Sequence, residues 1–412
     1  MSQKRNPAII FIFITIVIDV LGIGIIIPVL PKLLMQLTHT GFSEASKYSG
    51  LLMASYAIMQ FIFSPVLGGL SDQFGRRPVI LASLFGFFLD YLLLFFAPTL
   101  AWLFVGRILA GITGASFTTA TAYIADISND ENRSKNFGMV GAAFGLGFIV
   151  GPPIGGLLGD IGPRVPFLFS AGLTLLNFLY GYFVLPESLK KENLRPFDWK
   201  RANPVGSLKS TARYPALLGL IGALFCLQIA GQTHPSTWSY FTMKEFHWDG
   251  KQVGYSLAFV GLIVAIVQGG LNRIINPKIG DRNSIIIGLL FYAFGFALFS
   301  FATKGWMMYA AMMPFGLGGI AGPALQSLIT KQVAPNEQGE LQGGITSMQS
   351  LTTIFGPLLA SGMFSYFSDE KTAPIYFPGA AFMMAAILTI LALFIALKSF
   401  PKKAKIVEIV VS

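Results

Sequence analysis

Twelve long, largely apolar stretches follow one another along the 412-residue chain, and they leave few folds open to it. About 20 consecutive apolar residues in a helix cross a hydrocarbon layer roughly 30 Å thick. Against that template the stretches fall at 9–30, 48–70, 78–97, 100–127, 136–161, 165–185, 214–242, 252–275, 284–303, 306–330, 340–367 and 374–397. Only 12% of the residues are charged, about half the share of an ordinary soluble domain. So little charge cannot wrap a water-soluble globule of this length, so the solvent is mostly lipid and the fold is all-α and multi-pass.

The same inventory excludes several functions. The single cysteine, Cys226, can form no internal disulfide, and His39, His234 and His247 show no metal-ligand spacing. The spans hold no nucleophile, base and metal constellation, so an enzyme is not expected and no bound cofactor or resident metal is needed. Lys4 and Arg5 before the first span imitate a secretory signal. The apolar run is too long for one, contains Asp19 and lacks a small-residue cleavage site, so the N-terminus is expected to be retained. The net charge of +10 is a matter of topology. With both termini on one face, that face collects 21 of the 29 lysines and arginines and the other face seven, while Arg107 lies within a span. By the positive-inside rule the richer face is cytoplasmic. The basicity gives no reason to expect nucleic acid.

Pro186 to Arg213 forms the longest polar interval and divides the spans six and six, giving an N-terminal bundle over 1–185, a linker over 186–213 and a C-terminal bundle over 214–412. Duplication is the natural origin of such an arrangement. Gly75-Arg76-Arg77-Pro78 is echoed 205 positions on by Gly280-Asp281-Arg282-Asn283, and Gly151-Pro152 by Gly356-Pro357 at the same offset. Gly111 and Gly114 are echoed by Gly319 and Gly322 at an offset of 208. Parallel six-helix repeats place a substrate site between the halves near the bilayer midplane and expose it to each side in turn by rocking. This pattern gives a transporter without naming its substrate.

Three charged residues stand where charge is costly. Asp19 is eleventh in the first span, ~16 Å deep at 1.5 Å per residue. A carboxylate there costs about 2.5–3.5 kcal/mol on insertion scales, which makes it a functional candidate. Its alternative is a structural hydrogen bond to a neighbouring helix. Asp90 and Arg107 both lie ~10 Å below the outer ends of their spans, so a charge pair can form, serving either as a proton switch with Asp19 or as a static tie between helices. Gly147, Gly151 and Gly155 recur every four residues and flatten one face of the fifth span, with Pro152 and Pro153 bending it. For the cavity lining, Gln60, Gln228, Gln232, Gln268, Gln326 and Gln349, with Asn272, offer amides. Phe225, Trp238 and Phe315 offer apolar surface, a mixture suited to amphipathic, partly aromatic compounds.

Gly69-Leu70-Ser71-Asp72-Gln73-Phe74-Gly75-Arg76-Arg77-Pro78 resembles the signature loop of the major facilitator superfamily. Arg107 with Gly111 and Gly114 resembles its proton-coupling motif, and Gly147 to Gly156 its antiporter motif, including Pro152 and Gly155. Asp19 to Gly24, Leu89 to Leu94, Pro323 to Gln326 and Leu341 to Gly343 are similar to the tetracycline-exporter branch of drug:proton antiporters. Val264 stands where that branch carries a histidine, and Tyr292 where it carries an aspartate. The resemblance implies two pseudo-repeated six-helix bundles working as a monomer in a bacterial inner membrane. It also implies proton-driven export of small amphipathic drugs, tetracycline-like compounds foremost, with a divalent metal carried by a chelating cargo. By the same resemblance Gly69, Asp72, Gly75, Arg76 and Arg77 join Asp126 and Arg133 in a cytoplasmic gate. A proton-coupled metabolite importer of this fold, or a receptor without transport, are the other readings.

Overall fold

The computed structural model describes residues 7–114, 116–129, 132–197, 206, 217–333 and 338–400. Fifteen α-helices are used here as landmarks. In the N-terminal half these are α1 (Pro7–Ile26), α2 (Leu30–Thr38), α3 (Phe42–Phe74), α4 (Arg76–Phe96), α5 (Leu100–Thr113), α6 (Ser116–Ile127), α7 (Arg133–Ile161) and α8 (Val165–Val184). In the C-terminal half they are α9 (Leu218–Phe246), α10 (Gly250–Ile266), α11 (Asn272–Ser300), α12 (Gly305–Leu317), α13 (Ala321–Thr330), α14 (Gln338–Ser368) and α15 (Ala380–Ser399).

Among the described residues nine helical segments are long and apolar enough to cross a membrane. One of them, Gly250–Ser300, is two crossings joined at Gly280, whose φ of 78° breaks the helix. The helices α9 and α14 are as long as the others but carry Ser, Thr and Gln, and they fall below the apolar threshold. Together these make twelve crossings, six before and six after the linker, the architecture that the sequence resemblance implies. Large apolar side chains such as Phe183, Trp306 and Phe394 point outward, as lipid-facing surfaces require.

Local chemistry sets the ends. The first crossing stops at Ile26 rather than at residue 30, because the next helix starts afresh with Pro31 in its first turn. The last crossing starts at Ala380 rather than 374, after a stretch punctuated by Pro374 and Pro378. Between α9 and α10, His247 turns the chain in the left-handed region, and a reciprocal cap follows. The Asp249 carboxylate accepts from the Gln252 amide at 2.7 Å, and the Gln252 side chain accepts from the Asp249 N–H at 3.0 Å. Such a box satisfies two donors that a helix start leaves over.

The cores show how the halves meet. Near the end that carries the lysine- and arginine-rich loops, called here the basic end, each half has its own core. One is built on Phe11, Ile80, Leu84 and Tyr123, the other on Leu224, Ile285, Leu289 and Leu325. At the opposite end a single core takes residues from both halves, including Leu34, Leu52, Phe167, Trp238, Phe299 and Phe364. There Ser43 and Ser368 share a hydrogen bond of 2.8 Å, the Ser239 hydroxyl donates to the Ile27 carbonyl at 3.0 Å, and Lys251 pairs with Asp160 at 2.9 Å. Toward the basic end, Cβ atoms built on Gly138, Gly141 and Gly145 of α7 or Gly269 and Gly270 after α10 would meet no described atom within 4 Å. The halves are joined at one end and splayed at the other.

Candidate functional site

The splayed halves enclose a cavity of about 720 Å³ that takes its walls from both. Asp19, Tyr56, Gln60, Asp90 and Arg107 come from the N-terminal half, and Gln228, Gln232, Ser239, Tyr240 and Gln349 from the C-terminal half. Phe87, Phe117, Phe144 and Phe148 add aromatic surface.

Asp90 on α4 is fully buried, and its Oδ2 accepts from the guanidinium of Arg107 on α5. The other oxygen, Oδ1, is buried and makes no hydrogen bond among the described residues, so a lone pair stays open to a proton. Arg107 keeps only 19% of its side chain exposed. Tyr56 of α3 lies with its ring 6.0 Å from the guanidinium carbon, close enough for a cation–π contact. One helical turn on, the Gln60 amide donates to the Tyr56 hydroxyl at 3.1 Å and to the Gly114 carbonyl at 3.2 Å, tying α3 to the end of α5. A carboxylate and a guanidinium taken out of water together are held by mutual attraction, and removing either leaves the other uncompensated, at a cost of about 3–5 kcal/mol. Sequence reasoning missed Tyr56, although its i to i+4 spacing from Gln60 on a helix facing Arg107 is a readable signal.

The proposed cavity amides divide. Gln60, Gln228, Gln232 and Gln349 line the cavity, whereas the other six residues expected there, Asn272 among them, are not part of its wall. Trp238 is fully buried in the shared core, its indole N–H donating to Ser256 at 2.9 Å. Phe315 stacks on His234 and meets Tyr292 edge-on. Gln268 lies exposed in a π-helical turn, Val267–Leu271, and Gln326 donates to Gln342 at 3.3 Å. Rotation about the helix axis decides such cases, and span position alone does not supply it. Phe225 packs with the C-terminal core.

At the basic end the signature loop closes a polar cluster. Gly75 turns with φ of 101°, and the amides of Arg76 and Arg77 that follow both donate to the Glu187 carboxylate, at 2.8 and 3.1 Å. A side chain at Gly75 would collide with that carboxylate. Arg76 then reaches Asp72 at 2.6 Å, Ser71 at 2.6 Å and Asp126 at 3.1 Å, while Arg77 donates to the Tyr182 carbonyl at 2.6 Å. Gly69 packs beneath the Phe197 ring, and Gly68 faces open space. The Arg133 side chain lies outside the described residues. Glu187 is a functional candidate that the sequence hid, because 111 residues separate it from Arg76.

The glycines of α7 form the seam. Gly147, Gly151 and Gly155 press on Val20, Leu21 and Ile25 of α1, within one half. Gly156 presses on Gly250, and Pro152 and Pro153 on Gly254, both in α10 of the other half. One helix thus packs on two partners that belong to different bodies.

Comparisons with known proteins identify the family and the fold. The family model described as Major Facilitator Superfamily matches residues 12–280 and 274–408. The chain is 41% identical over 385 residues to the class C tetracycline resistance protein of Escherichia coli, covering 93% of this chain and 96% of that one. It is 37% identical to the class B protein of the same organism, covering 90% and 92%. Among solved structures, the nucleoside transporter NupG superposes with a TM-score of 0.78 at 12% identity, covering 96% of this chain and all of the other. The D-xylose-proton symporter gives 0.77 at 17% identity, covering 96% and 98%.

Proposed function

Since this chain belongs to the major facilitator superfamily, in the branch of the tetracycline resistance proteins, we propose that it exports small amphipathic drugs in exchange for protons, tetracycline-like compounds foremost. The basic end lies in the cytoplasm of a bacterial cell with both termini, and the protein works as a monomer in the inner membrane. With a chelating cargo, a divalent cation is part of the substrate. The splayed arrangement is then the drug-accepting state, open to the cytoplasm.

The single observation that carries this reading is the buried Asp90–Arg107 pair, which opens together with Asp19 on a cavity lined by both halves. While Arg107 stays against Asp90 the carboxylate is compensated. When the halves rock and Arg107 withdraws, an uncompensated carboxylate in low dielectric is costly, and a proton from outside relieves it. Return of Arg107 expels that proton to the cytoplasm. Asp19, in the same cavity, is the second proton acceptor. The cavity amides Gln60, Gln228, Gln232 and Gln349 orient polar groups of the drug, and the phenylalanines take its apolar face. Gly69, Asp72, Gly75, Arg76, Arg77 and Asp126 hold the cytoplasmic end shut in the alternate state. Gly147, Gly151 and Gly155 hold α7 against α1 within its half, and Gly156, Pro152 and Pro153 are the surface on which that half moves against α10 as that state forms. At 100 mV each inward charge supplies about 2.3 kcal/mol, roughly fiftyfold accumulation of a neutral drug before any pH gradient is added.

The test is drug uptake into inverted membrane vesicles bearing the protein, with an acidic interior. Tetracycline should enter as protons leave, and an uncoupler should abolish uptake. Drug and proton moving in the same direction, or no movement of either, would refute the reading.

A further inference from the structure

The polar cluster around Arg76 has a counterpart in the other half, built to the same plan with its charges exchanged. In the N-terminal half, Gly75 turns at positive φ and Arg76 follows it, pairing with Asp126 fifty positions later and with the Ser71 hydroxyl five positions earlier. In the C-terminal half, Gly280 turns at φ of 78° and Asp281 follows it. Asp281 pairs with Lys331, again fifty positions later, at 2.6 Å, and accepts from the Asn276 amide five positions earlier at 3.1 Å. Cation and anion change places at both members of the ion pair, and the third member changes from acceptor to donor. Ser327 adds a further donor to Asp281 at 3.1 Å. Burial works against the charge on Asp281. The hydrogen bonds from Lys331, Asn276 and Ser327 outweigh it and hold the carboxyl below its usual range.

Duplication explains why the turn, the spacing and the helix ends recur, but it gives no reason for the reversed sign. An exposed ion pair adds little stability, and Lys331 is 66% exposed, so either sign would serve as local glue. The sign matters when the two clusters face each other. The N-terminal cluster presents Asp72, Asp126 and Glu187 around Arg76 and Arg77, an excess of carboxylate. The C-terminal cluster presents Lys331 and Arg282 around the single carboxylate of Asp281. From the other half, the helix that runs alongside α3 is chiefly α14, which starts seven residues after Lys331. When the basic ends approach, Lys331 is therefore carried toward Asp72, which is 44% exposed.

We propose that Asp281 and Asn276 position Lys331 as the C-terminal jaw of the cytoplasmic gate, so that two clusters of opposite polarity attract each other when that end closes. Complementary charge of this kind selects a docked arrangement more than it strengthens either partner alone. This inference rests on the transport reading above.

The experiment exchanges the C-terminal pair, Asp281→Lys with Lys331→Asp, which keeps an internal ion pair but presents a carboxylate where the N-terminal cluster meets it. Lys331→Gln, at an exposed position, is the second variant should the exchange impair folding. Spin labels at Phe74→Cys and Gln332→Cys, in a Cys226→Ser background, report the separation of the two halves at the basic end in liposomes. The exchange should lower the short-distance population at least fivefold and the maximal transport rate about tenfold, with the drug KM within twofold. Lys331→Gln should fall between the exchange and the parent. A folded variant of either kind that keeps the parent's distance distribution and rate overturns the proposal. A parent that moves no drug under an imposed pH gradient overturns the transport reading instead.

Discussion

Replacing Gly156 by alanine should act on the balance between the two states of the transporter. A Cβ at this position would strike the Gly250 carbonyl oxygen and lie 2.7 Å from the Gly250 carbonyl carbon and 3.0 Å from the Lys251 Cα, all backbone of the other half. No side chain can swing aside to relieve these contacts. Overpacking of this kind costs about 1–3 kcal/mol, and parting of the halves at their joined end removes the strain. The equilibrium should move toward the state open to the outside by about 5- to 150-fold, since each 1.4 kcal/mol is a factor of ten. Two neighbours on α7 serve as controls. Gly147→Ala meets the Val20 Cβ at 2.7 Å within the same half and strains both states alike, and Gly141→Ala meets no described atom within 4 Å. Spin labels at the exposed Lys32→Cys and Lys371→Cys measure the separation at the joined end. A distance distribution that Gly156→Ala leaves unchanged, or that Gly141→Ala shifts equally, refutes the reasoning.

Three other outcomes are expected. Asp90→Asn leaves the Arg107 guanidinium uncompensated and should lower stability by about 3–5 kcal/mol. Asp90→Asn combined with Arg107→Gln should recover most of that loss in thermal unfolding while proton-driven uptake stays absent. Gln232→Ala, in the cavity wall, should weaken drug binding about 3- to 10-fold through a lost hydrogen bond of about 0.5–1.5 kcal/mol, read by equilibrium binding. Trp238→Ala should instead destabilise the protein by about 3–5 kcal/mol. The lowered pKa of Asp281 stabilises the fold at pH above the unfolded carboxylate value near 4, and this contribution is lost as pH falls through the lower folded value. The melting temperature of Asp281→Asn should therefore fall less steeply than the parent's between pH 5 and pH 3.

Much of this architecture can be read from the chain because a lipid solvent imposes a simple rule on length and polarity. Span counting reaches even α9 and α14, where Ser, Thr and Gln dilute the apolar signal. The helix ends at Ile26 and Ala380 are less accessible to it, because Pro31, Pro374 and Pro378 act through backbone geometry that a hydropathy window does not register. Counting along two helices puts Asp90 and Arg107 at one depth. Whether they touch depends on helix rotation and on the close approach of α4 and α5. The same missing angle separates Gln232, in the cavity wall, from Trp238 six residues further along the same helix and sunk in the shared core. Glu187 shows the other limit, since its role comes from a chain return across 111 residues that no local pattern announces.

The modest apolarity of α9 and α14 also bears on how the protein is made. A translocon that judges segments singly, as each emerges from the ribosome, would find these two poor substrates, since polar residues near a helix centre raise the free energy of partitioning. They must enter the bilayer in the company of already inserted neighbours. The two helices that give the drug pathway much of its polarity are thus the ones whose biogenesis depends most on prior assembly, and chains truncated shortly after either should be the first to meet quality-control proteases.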